Sequence, residues 1–403
     1  AKEHLKDYKG AIEDYNKILE IDSKNSQAYI NIGRINEELN DKKSAMENYN
    51  KAVALDETNA DAYFYRALLY YDMENHEQYA ADWAKYKKYN EIMVNFMKDQ
   101  RAHGINMLFV PLFTPPLDTK PGLYRRTVQL VDVEVVNGVF KFSFDRVFEF
   151  LRLGKKLGYK YFEMSHLFSQ WGANKAAKVI AKVNGKTKRI FGWCNKSTTE
   201  YLDFIGKFLK EFVKKLKENG YSEDEIYFHI SDEPNFKTLK TYKCLSNKIR
   251  KIIKPYKVFD ALSDFDFYKN RLVDEPVVAE DVIKKFRENG VKTFVYYCCC
   301  QTHNNVPNRF LNMPLNRLRV LGAIMYVDDA KGLLHWGYNF YNSQLSIDHI
   351  NPFLVPDANA RFPAGDAFIV YPGDDGIPLN SLRGETYFDS LQDYALFKML
   401  EDK

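Results

Sequence analysis

The sequence has few cysteines, no long apolar run and almost no net charge, and each absence excludes a class of protein. Five cysteines occur in 403 residues, Cys194, Cys244 and the run Cys298–Cys299–Cys300, a spacing typical neither of a zinc site nor of a disulfide framework. No stretch reaches the roughly 18 apolar residues that a membrane helix needs, so we expect no transmembrane segment. The 58 basic and 54 acidic residues leave a net charge of +4. Basic runs such as residues 212–218 have the spacing of a solvated helix face, so we expect no nucleic-acid partner.

Metal-ligand motifs are also missing from the sequence. A metal-dependent hydrolase could use His166, His229, Asp232 and His335, but none of these residues has the spacing of an HExxH motif. We therefore expect neither a metal nor a cofactor. A chelator-sensitive hydrolase stays as a third alternative to the two functions developed below.

A repeat of 34 residues occupies the start of the chain. Residues 11–33 align with residues 45–67, with small and aromatic residues at matching positions. The spacing closely resembles tetratricopeptide repeats, with Gly33 at the family's small position. We expect an all-α repeat domain over residues 1–90, which could hold a protein or peptide partner. The chain opens inside the second helix of a repeat, so we expect about two and a half repeats and a protein that extends upstream. An export signal could lie there, and the compartment stays open.

After residue 90 the pattern changes to apolar strands that alternate with helices. Such alternation argues for a parallel sheet, and about 300 residues of these units suit a TIM-like (β/α)₈ barrel. We therefore predict an α/β barrel domain over residues 91–403, with a doubly wound open sheet as the alternative. The predicted strands cover 105–113, 159–168, 226–232, 257–265, 291–300, 332–340 and 366–373, with a hairpin at 127–144 and an unclear eighth strand near 275–282. The predicted helices cover 145–158, 199–220 and 238–254.

Polar and aromatic residues follow the predicted strands, where the active site of a barrel gathers. Buried polar groups cost free energy unless they are partnered, so their convergence favours an enzyme or a binding pocket. The candidates are His166 and Trp171 after the second strand, Asp232 and Glu233 after the third, Asp260 after the fourth, Arg309 beyond the fifth, and His335, Trp336, Tyr338 and Asn339 on the next.

Asp232 and Glu233 are adjacent carboxylates, and Pro234 follows them. Neighbouring strand residues point to opposite faces, so both can reach one site only if the strand has ended. Pro234 lacks the N–H that a ladder needs and helps to end it. Two carboxylates at unequal depth should differ in pKa, one staying ionised and the other able to hold a proton. Such a pair suits general-acid cleavage of a glycosidic bond, with a helix cap or a surface ion pair as the alternatives.

Seven segments, in this order, resemble the catalytic barrel of glycoside hydrolase family 123, the β-N-acetylgalactosaminidases. They are LFTPPLDT (112–119), EMSHLFSQWGA (163–173), HISDEP (229–234), DALSDF (260–265), YYCCCQ (296–301), HWGYNFYN (335–342) and GDAFIVYPG (365–373). The resemblance covers roughly residues 91 to 403. It implies a retaining, substrate-assisted mechanism, in which the 2-acetamido oxygen of the sugar attacks its own anomeric carbon and the enzyme supplies no nucleophile.

The resemblance also implies roles for individual residues. Asp232 would orient and polarise the acetamido N–H, and Glu233 would protonate the leaving oxygen and then deprotonate water. Their position after the strands makes other residues candidates for contacts to the sugar. These are Trp171 and Trp336 for stacking and for the wall of the acetamido pocket, Tyr338 and Asn339 for the acetamido oxygen or ring hydroxyls, His166 and Arg309 for hydroxyls, and Asp260 and His335 as further substrate-binding residues. Family members of known activity usually carry a β-sandwich ahead of the barrel, where this chain has repeats.

We therefore expect a glycosidase that releases terminal β-linked N-acetylhexosamine, with N-acetylgalactosamine as the preferred sugar, from a glycan or glycolipid. The alternative is a tetratricopeptide protein-interaction protein with a non-catalytic, carbohydrate-binding barrel.

Overall fold

The computed structural model describes residues 8–401, apart from 58, 115–126, 171, 184–185, 193–198 and 302–305. The chain forms two compact units. The repeat unit comprises Ala1–Phe96 and Gly373–Ile377, and the sheet unit comprises Met97–Pro372 and Pro378–Lys403. The predicted domain boundary at residue 90 stays a prediction. Within the described residues, no helix combines the length and apolar character that crossing a membrane requires.

Consecutive helices joined by short loops build the repeat unit, and side-chain caps mark where three of them begin. The helices are α1 (Tyr8–Ile21), α2 (Ser26–Glu38), α3 (Lys42–Leu55), α4 (Ala60–Asp72) and α5 (His76–Ala102), the last of which continues into the sheet unit. Asn25, Asp41 and Asn59 each accept a hydrogen bond from the backbone N–H three residues on, at 3.0, 3.0 and 3.3 Å. These bonds satisfy N–H groups that the first helical turn leaves without a partner.

Gly33 explains how α2 and α3 approach each other. A Cβ at Gly33 would lie 2.5 Å from Cε1 of Tyr49, whose side chain is fully buried. The Tyr49 hydroxyl donates to Glu37 and so has a partner within the unit. Gly33 thus occupies the small position that the repeat pattern predicted.

The sheet unit contains eight further helices and fourteen short strands among the described residues. The helices are α6 (Asp145–Lys156), α7 (Thr199–Glu218), α8 (Leu239–Ile253), α9 (Phe265–Lys269), α10 (Ile283–Glu288), α11 (Leu315–Arg319), α12 (Leu321–Val327) and α13 (Leu382–Glu401). The strands are β1 (Met107–Val110), β2 (Asp132–Val136), β3 (Val139–Ser143), β4 (Tyr161–Met164), β5 (Val179–Val183), β6 (Lys186–Phe191), β7 (Ile226–Phe228), β8 (Lys257–Val258), β9 (Ala261–Leu262), β10 (Val277–Ala279), β11 (Phe294–Tyr296), β12 (Gly332–Leu334), β13 (Val370–Pro372) and β14 (Pro378–Asn380).

Two parallel sheets follow the order of the chain. The first has the order β1-β4-β7-β8 and the second β9-β10-β11-β12, and only Phe259 and Asp260 separate β8 from β9. All pairs within both sheets are parallel. This order agrees with the predicted α/β class. No closed sheet occurs among the described residues, so the eight-stranded barrel stays a prediction.

The structure confirms two strand predictions and changes a third. The unclear segment 275–282 forms β10 in the interior of the second sheet, whereas 366–373 yields β13, which pairs antiparallel with β14. The predicted hairpin forms as β2 and β3, and β5 and β6 extend it to a four-stranded sheet that we did not predict.

Helix α7 anchors the first sheet through an aromatic stripe. Phe204, Phe208 and Phe212 recur every four residues on α7 and are fully buried in the core that also contains β4 and β7. The ring of Phe208 lies 4.8 Å from that of Phe113, measured between centroids. Burial of each of these side chains stabilises the fold by roughly 1.5–3 kcal/mol. This packing holds α7 against the strands whose ends carry the candidate site.

Candidate active site

A buried network lies at the carboxyl end of β7. His229 Nδ1 is 2.9 Å from Asp260 Oδ1, and His229 Nε2 is 2.7 Å from Glu163 Oε1. Burial alone would lower the pKa of His229, but the charges and hydrogen bonds of Glu163 and Asp260 outweigh it and raise that pKa to about 9. His229 is therefore a cation at neutral pH and donates both of its N–H groups.

Asp260 determines where β7 ends. Its carboxylate is fully buried and accepts the backbone N–H of Ile230 at 3.0 Å and that of Ser231 at 3.3 Å, together with the Tyr242 hydroxyl. These N–H groups are thereby taken out of the ladder, and the strand stops at Phe228 rather than at residue 232. Asp260 thus positions this backbone, and its predicted contact to the substrate stays a prediction.

The adjacent carboxylates occupy the irregular backbone beyond β7. Glu233 has a φ of +42°, a left-handed conformation that is uncommon for any residue other than glycine, and its N–H donates to the Ala261 oxygen at 3.1 Å. Backbone conformations of this kind cluster at functional sites. The turn separates the two side chains, so that Asp232 Oδ2 accepts from Gln170 Nε2 at 2.8 Å and Glu233 Oε1 from the Tyr296 hydroxyl at 2.8 Å.

Asp232 takes up and releases a proton near neutral pH. Burial, followed by repulsion from Glu233, raises the pKa of Asp232 to about 7, against the opposing hydrogen bond from Gln170. The side chain of Glu233 lines an open cleft of about 430 Å³ that also includes Ser263, Asp264 and Lys285.

His166 stacks on the imidazole of His229, with ring centroids 4.0 Å apart and planes 18° from parallel. Burial, followed by the charge of His229, lowers the pKa of His166 well below its usual range, so this ring is neutral. The donor atoms of His166, His229 and Asp260 lie within 4.8 Å of one another. A metal binds an imidazole nitrogen in the plane of its ring, and the two stacked rings have nearly parallel planes. Both nitrogens of His229 also bind carboxylates, so this trio does not suit a metal.

Arg309, His335, Trp336 and Asp366 form a second polar cluster, which is largely buried. Arg309 Nη2 lies 2.5 Å from His335 Nδ1, and Trp336 Nε1 donates to Asp366 Oδ2 at 3.1 Å. Burial, followed by the charge of Arg309, lowers the pKa of His335 to about 4, so its neutral Nδ1 accepts from Arg309. The exposed fraction is 3% for Arg309 and 37% for Trp336. Trp336 is thus partly exposed and Arg309 is buried, and contacts from Trp336, Arg309 and His335 to a sugar stay predictions.

The remaining predicted residues occupy separate places. The Tyr338 hydroxyl donates to Asp99 on α5, and Asn339 is exposed and forms an isolated backbone bridge with Phe368. Trp171 lies outside the described residues. Contacts from Trp171, Tyr338 and Asn339 to a sugar stay predictions.

Sequence reasoning missed Glu163, Gln170 and Tyr296 as members of the site. Glu163 and Tyr296 lie on β4 and β11, and Gln170 lies in the loop that follows β4. Polar residues on neighbouring parallel strands were the available signal, because such strands bring equivalent positions to one edge of a sheet.

Comparison with solved structures supports the fold. A family 123 glycoside hydrolase from Clostridium perfringens, solved in a study of glycolipid glycan hydrolysis, matches with a TM-score of 0.57 and 15% identity, over 78% of this chain and 55% of its own. This chain thus spans about half the length of that protein. A family 5 mannosidase from Rhizomucor miehei matches with a TM-score of 0.41 and 11% identity, over 78% of this chain and 89% of its own. That score is too low to carry a conclusion.

Family comparison adds two matches, although no curated protein matches the chain. A tetratricopeptide repeat family matches residues 1–25. The glycoside hydrolase 123 catalytic domain matches residues 34–400, a span that contains every described residue of the site above. The chain therefore belongs to glycoside hydrolase family 123.

Proposed function

We propose that this protein releases terminal β-linked N-acetylhexosamine, with N-acetylgalactosamine preferred, from glycans or glycolipids by a retaining, substrate-assisted mechanism. The observation that carries the proposal is the Asp232–Glu233 pair, in which each carboxylate accepts a hydrogen bond from a side chain of its own, Gln170 or Tyr296. The pair lies within the segment that matches the family 123 catalytic domain. The Clostridium perfringens relative, described as acting on glycolipid glycans, favours a glycan of this kind. We also propose that the two parallel sheets belong to a (β/α)₈ barrel.

In the first step of the proposed reaction, the acetamido oxygen attacks the anomeric carbon as the bond to the leaving oxygen breaks. Glu233, held by Tyr296, gives its proton to that oxygen, and an oxazolinium-like intermediate forms. Asp232 accepts a hydrogen bond from the acetamido N–H, and its negative charge stabilises the positive charge that develops on the ring and amide.

In the second step, water attacks the anomeric carbon, the bond from the acetamido oxygen to that carbon breaks, and Glu233 takes up a proton of the water. The acetamido group is restored, the configuration is retained, and both carboxylates return to their starting states. Burial, the larger cause of the raised pKa of Asp232, acts whether or not Glu233 carries its proton. A carboxylate of higher pKa is the stronger base, and it therefore binds the acetamido N–H more tightly as that proton becomes acidic in the transition state. The exposed face of Trp336 is our candidate for stacking on the sugar.

The test compares 4-nitrophenyl β-N-acetylgalactosaminide with the N-acetylglucosaminide and the unacetylated galactoside. We expect release from the N-acetyl substrates, faster from the galacto form, and none from the galactoside, which lacks the attacking oxygen. Asp232→Asn should lower kcat/KM by about 10²–10⁴. Glu233→Gln should lower it less on the nitrophenyl substrate, because nitrophenolate leaves without protonation, and more on a natural glycan.

Glu211→Gln, on the exposed face of α7, is the matched control for removal of a carboxylate charge and should keep full activity. Equal turnover of the unacetylated galactoside would contradict assistance by the substrate. Binding of the sugar without turnover by the folded protein would favour the alternative of a non-catalytic barrel.

A further inference from the structure

Three consecutive cysteines form a cluster that the proposed hydrolysis does not use. Cys298, Cys299 and Cys300 lie in the turn after β11, and their three sulfur atoms lie within 4.8 Å of one another. Cys299 Sγ is 4.0 Å from Cys298 Sγ and 3.7 Å from Cys300 Sγ. All three are free thiols.

The sulfur separations match those around a bound metal ion. A Zn–S bond measures about 2.3 Å, so thiolates in a tetrahedral or trigonal arrangement lie roughly 3.8–4.0 Å apart. Both measured separations from Cys299 fall close to these values. Adjacent side chains in an extended strand would point to opposite faces, so the turn is what brings the sulfur atoms together.

Buried amides hold the turn in this conformation. Gln301 Oε1 accepts from the Cys298 backbone N–H at 2.9 Å, and Asn308 Nδ2 donates to the backbone oxygens of Cys298 at 2.9 Å and Gln301 at 3.1 Å. Asn308 is fully buried and Gln301 is 7% exposed. A fixed turn reduces the entropy that ligand binding would otherwise cost. Cys300 is exposed and Cys298 and Cys299 are half-buried, so an ion can reach the sulfur atoms from solvent.

We propose that Cys298, Cys299 and Cys300 bind one thiophilic d¹⁰ cation of the Zn²⁺ class, with water in the fourth position. Thiolates favour such ions over Mg²⁺ or Ca²⁺, which take oxygen ligands. On binding, three S–H bonds break, three metal–sulfur bonds form, and the protons pass to solvent with no change of oxidation state. The proposed hydrolysis does not use these thiols, and the test of the metal site does not rely on activity.

Cd²⁺ is the probe, because its bonds to thiolates give a charge-transfer absorption band in the ultraviolet. The full chain, reduced and then freed of metal and reductant, is titrated with Cd²⁺, and Zn²⁺ is then added in competition. We expect one Cd²⁺ per chain with the thiolate band, release of protons, and displacement by Zn²⁺. Mg²⁺ should have no effect.

Cys299→Ser should weaken Cd²⁺ binding by at least about 100-fold, since it removes the sulfur that both measured separations share. Cys300→Ser alters an exposed side chain and gives a second test if Cys299→Ser does not fold. Cys244→Ser, at an exposed thiol on α8, is the matched control and should bind as the wild type does. Equal Cd²⁺ affinity in wild type, Cys299→Ser and Cys300→Ser, or loss of the band in Cys244→Ser, would overturn the proposal.

Discussion

At the scale of single residues, Asp232 has a pKa near 7 and one hydrogen bond, from Gln170, that favours its charged form. The proposed mechanism needs Asp232 ionised, so kcat/KM should fall as the pH drops through about 7. Gln170→Ala removes the donor and should move this acidic limb upward by about one pH unit, because a hydrogen bond to a charged group contributes about 1.5–3 kcal/mol. The measurement is kcat/KM against pH for both proteins.

Gln78→Ala, at an exposed position on α5, is the control and should leave the profile unchanged. An acidic limb that stays in place in Gln170→Ala, with otherwise normal kinetics, would assign the limb to a group other than Asp232.

Some features of the candidate site could be predicted from the sequence and others could not. Asp232 and Glu233 are neighbours in sequence and Pro234 follows them, so the sequence alone predicts two carboxylates just beyond the end of a strand. The pKa of Asp232 could not be predicted, since it depends on burial by segments distant in sequence. The burial of Asp260 and Arg309 and their hydrogen bonds to other protein groups could not be predicted for the same reason, and their contacts to a substrate stay predictions.

At the scale of elements, short strands were the main obstacle to prediction. The α/β class and the long helices could be predicted because their apolar periodicity extends over many residues, as in α7. Strand β10 has three residues, too few for a period to show. The end of β7 depends on Asp260, a residue that is not its neighbour in sequence. Such tertiary contacts determine strand limits that propensity alone cannot give.

Two glycines within helices allow a matched test of packing. Gly33→Ala should destabilise the repeat unit by about 1–3 kcal/mol, because its Cβ would overlap the buried ring of Tyr49. Gly206→Ala on α7 should stabilise the sheet unit by about 0.5–1 kcal/mol, because its Cβ has no atom within 4 Å and alanine favours a helix. Urea unfolding followed by circular dichroism measures both changes. Shifts of the same sign at the two positions would contradict the packing described for Gly33.

At the scale of the whole molecule, buried ionisable groups make stability depend on pH. Asp232 and Glu280 have pKa values raised by burial, to about 7 and about 8, so each favours the folded state below its unfolded pKa and loses that contribution as the pH rises through the folded value. Burial lowers the pKa of His335 to about 4, so His335 adds to the stability of the folded state as the pH rises from 4 to 6.5. His229, whose pKa its carboxylate partners raise to about 9, loses its contribution between pH 6.5 and 9.

These contributions oppose one another below pH 6.5 and act together above it. We therefore expect the melting temperature of the sheet unit to fall as the pH rises from 6.5 toward 9. Glu280 is the group in which to test this, because it is buried and its Oε2 has no hydrogen-bond partner among the described residues. Glu280→Gln cannot ionise, so it should melt about 2–4 °C higher than the wild type at pH 9, relative to their difference at pH 5.

Comparing the two pH values separates ionisation from any constant effect of the amide, since a poorly packed glutamine would lower the melting temperature equally at both. Glu288→Gln, on the exposed face of α10, is the matched control and should follow the wild-type curve at every pH. Differential scanning calorimetry from pH 5 to pH 9 on the three proteins gives the measurement. If Glu280→Gln declined as steeply as the wild type, the pKa of Glu280 would be the same in the folded and the unfolded protein, and the fall above pH 7 would rest on Asp232 and His229.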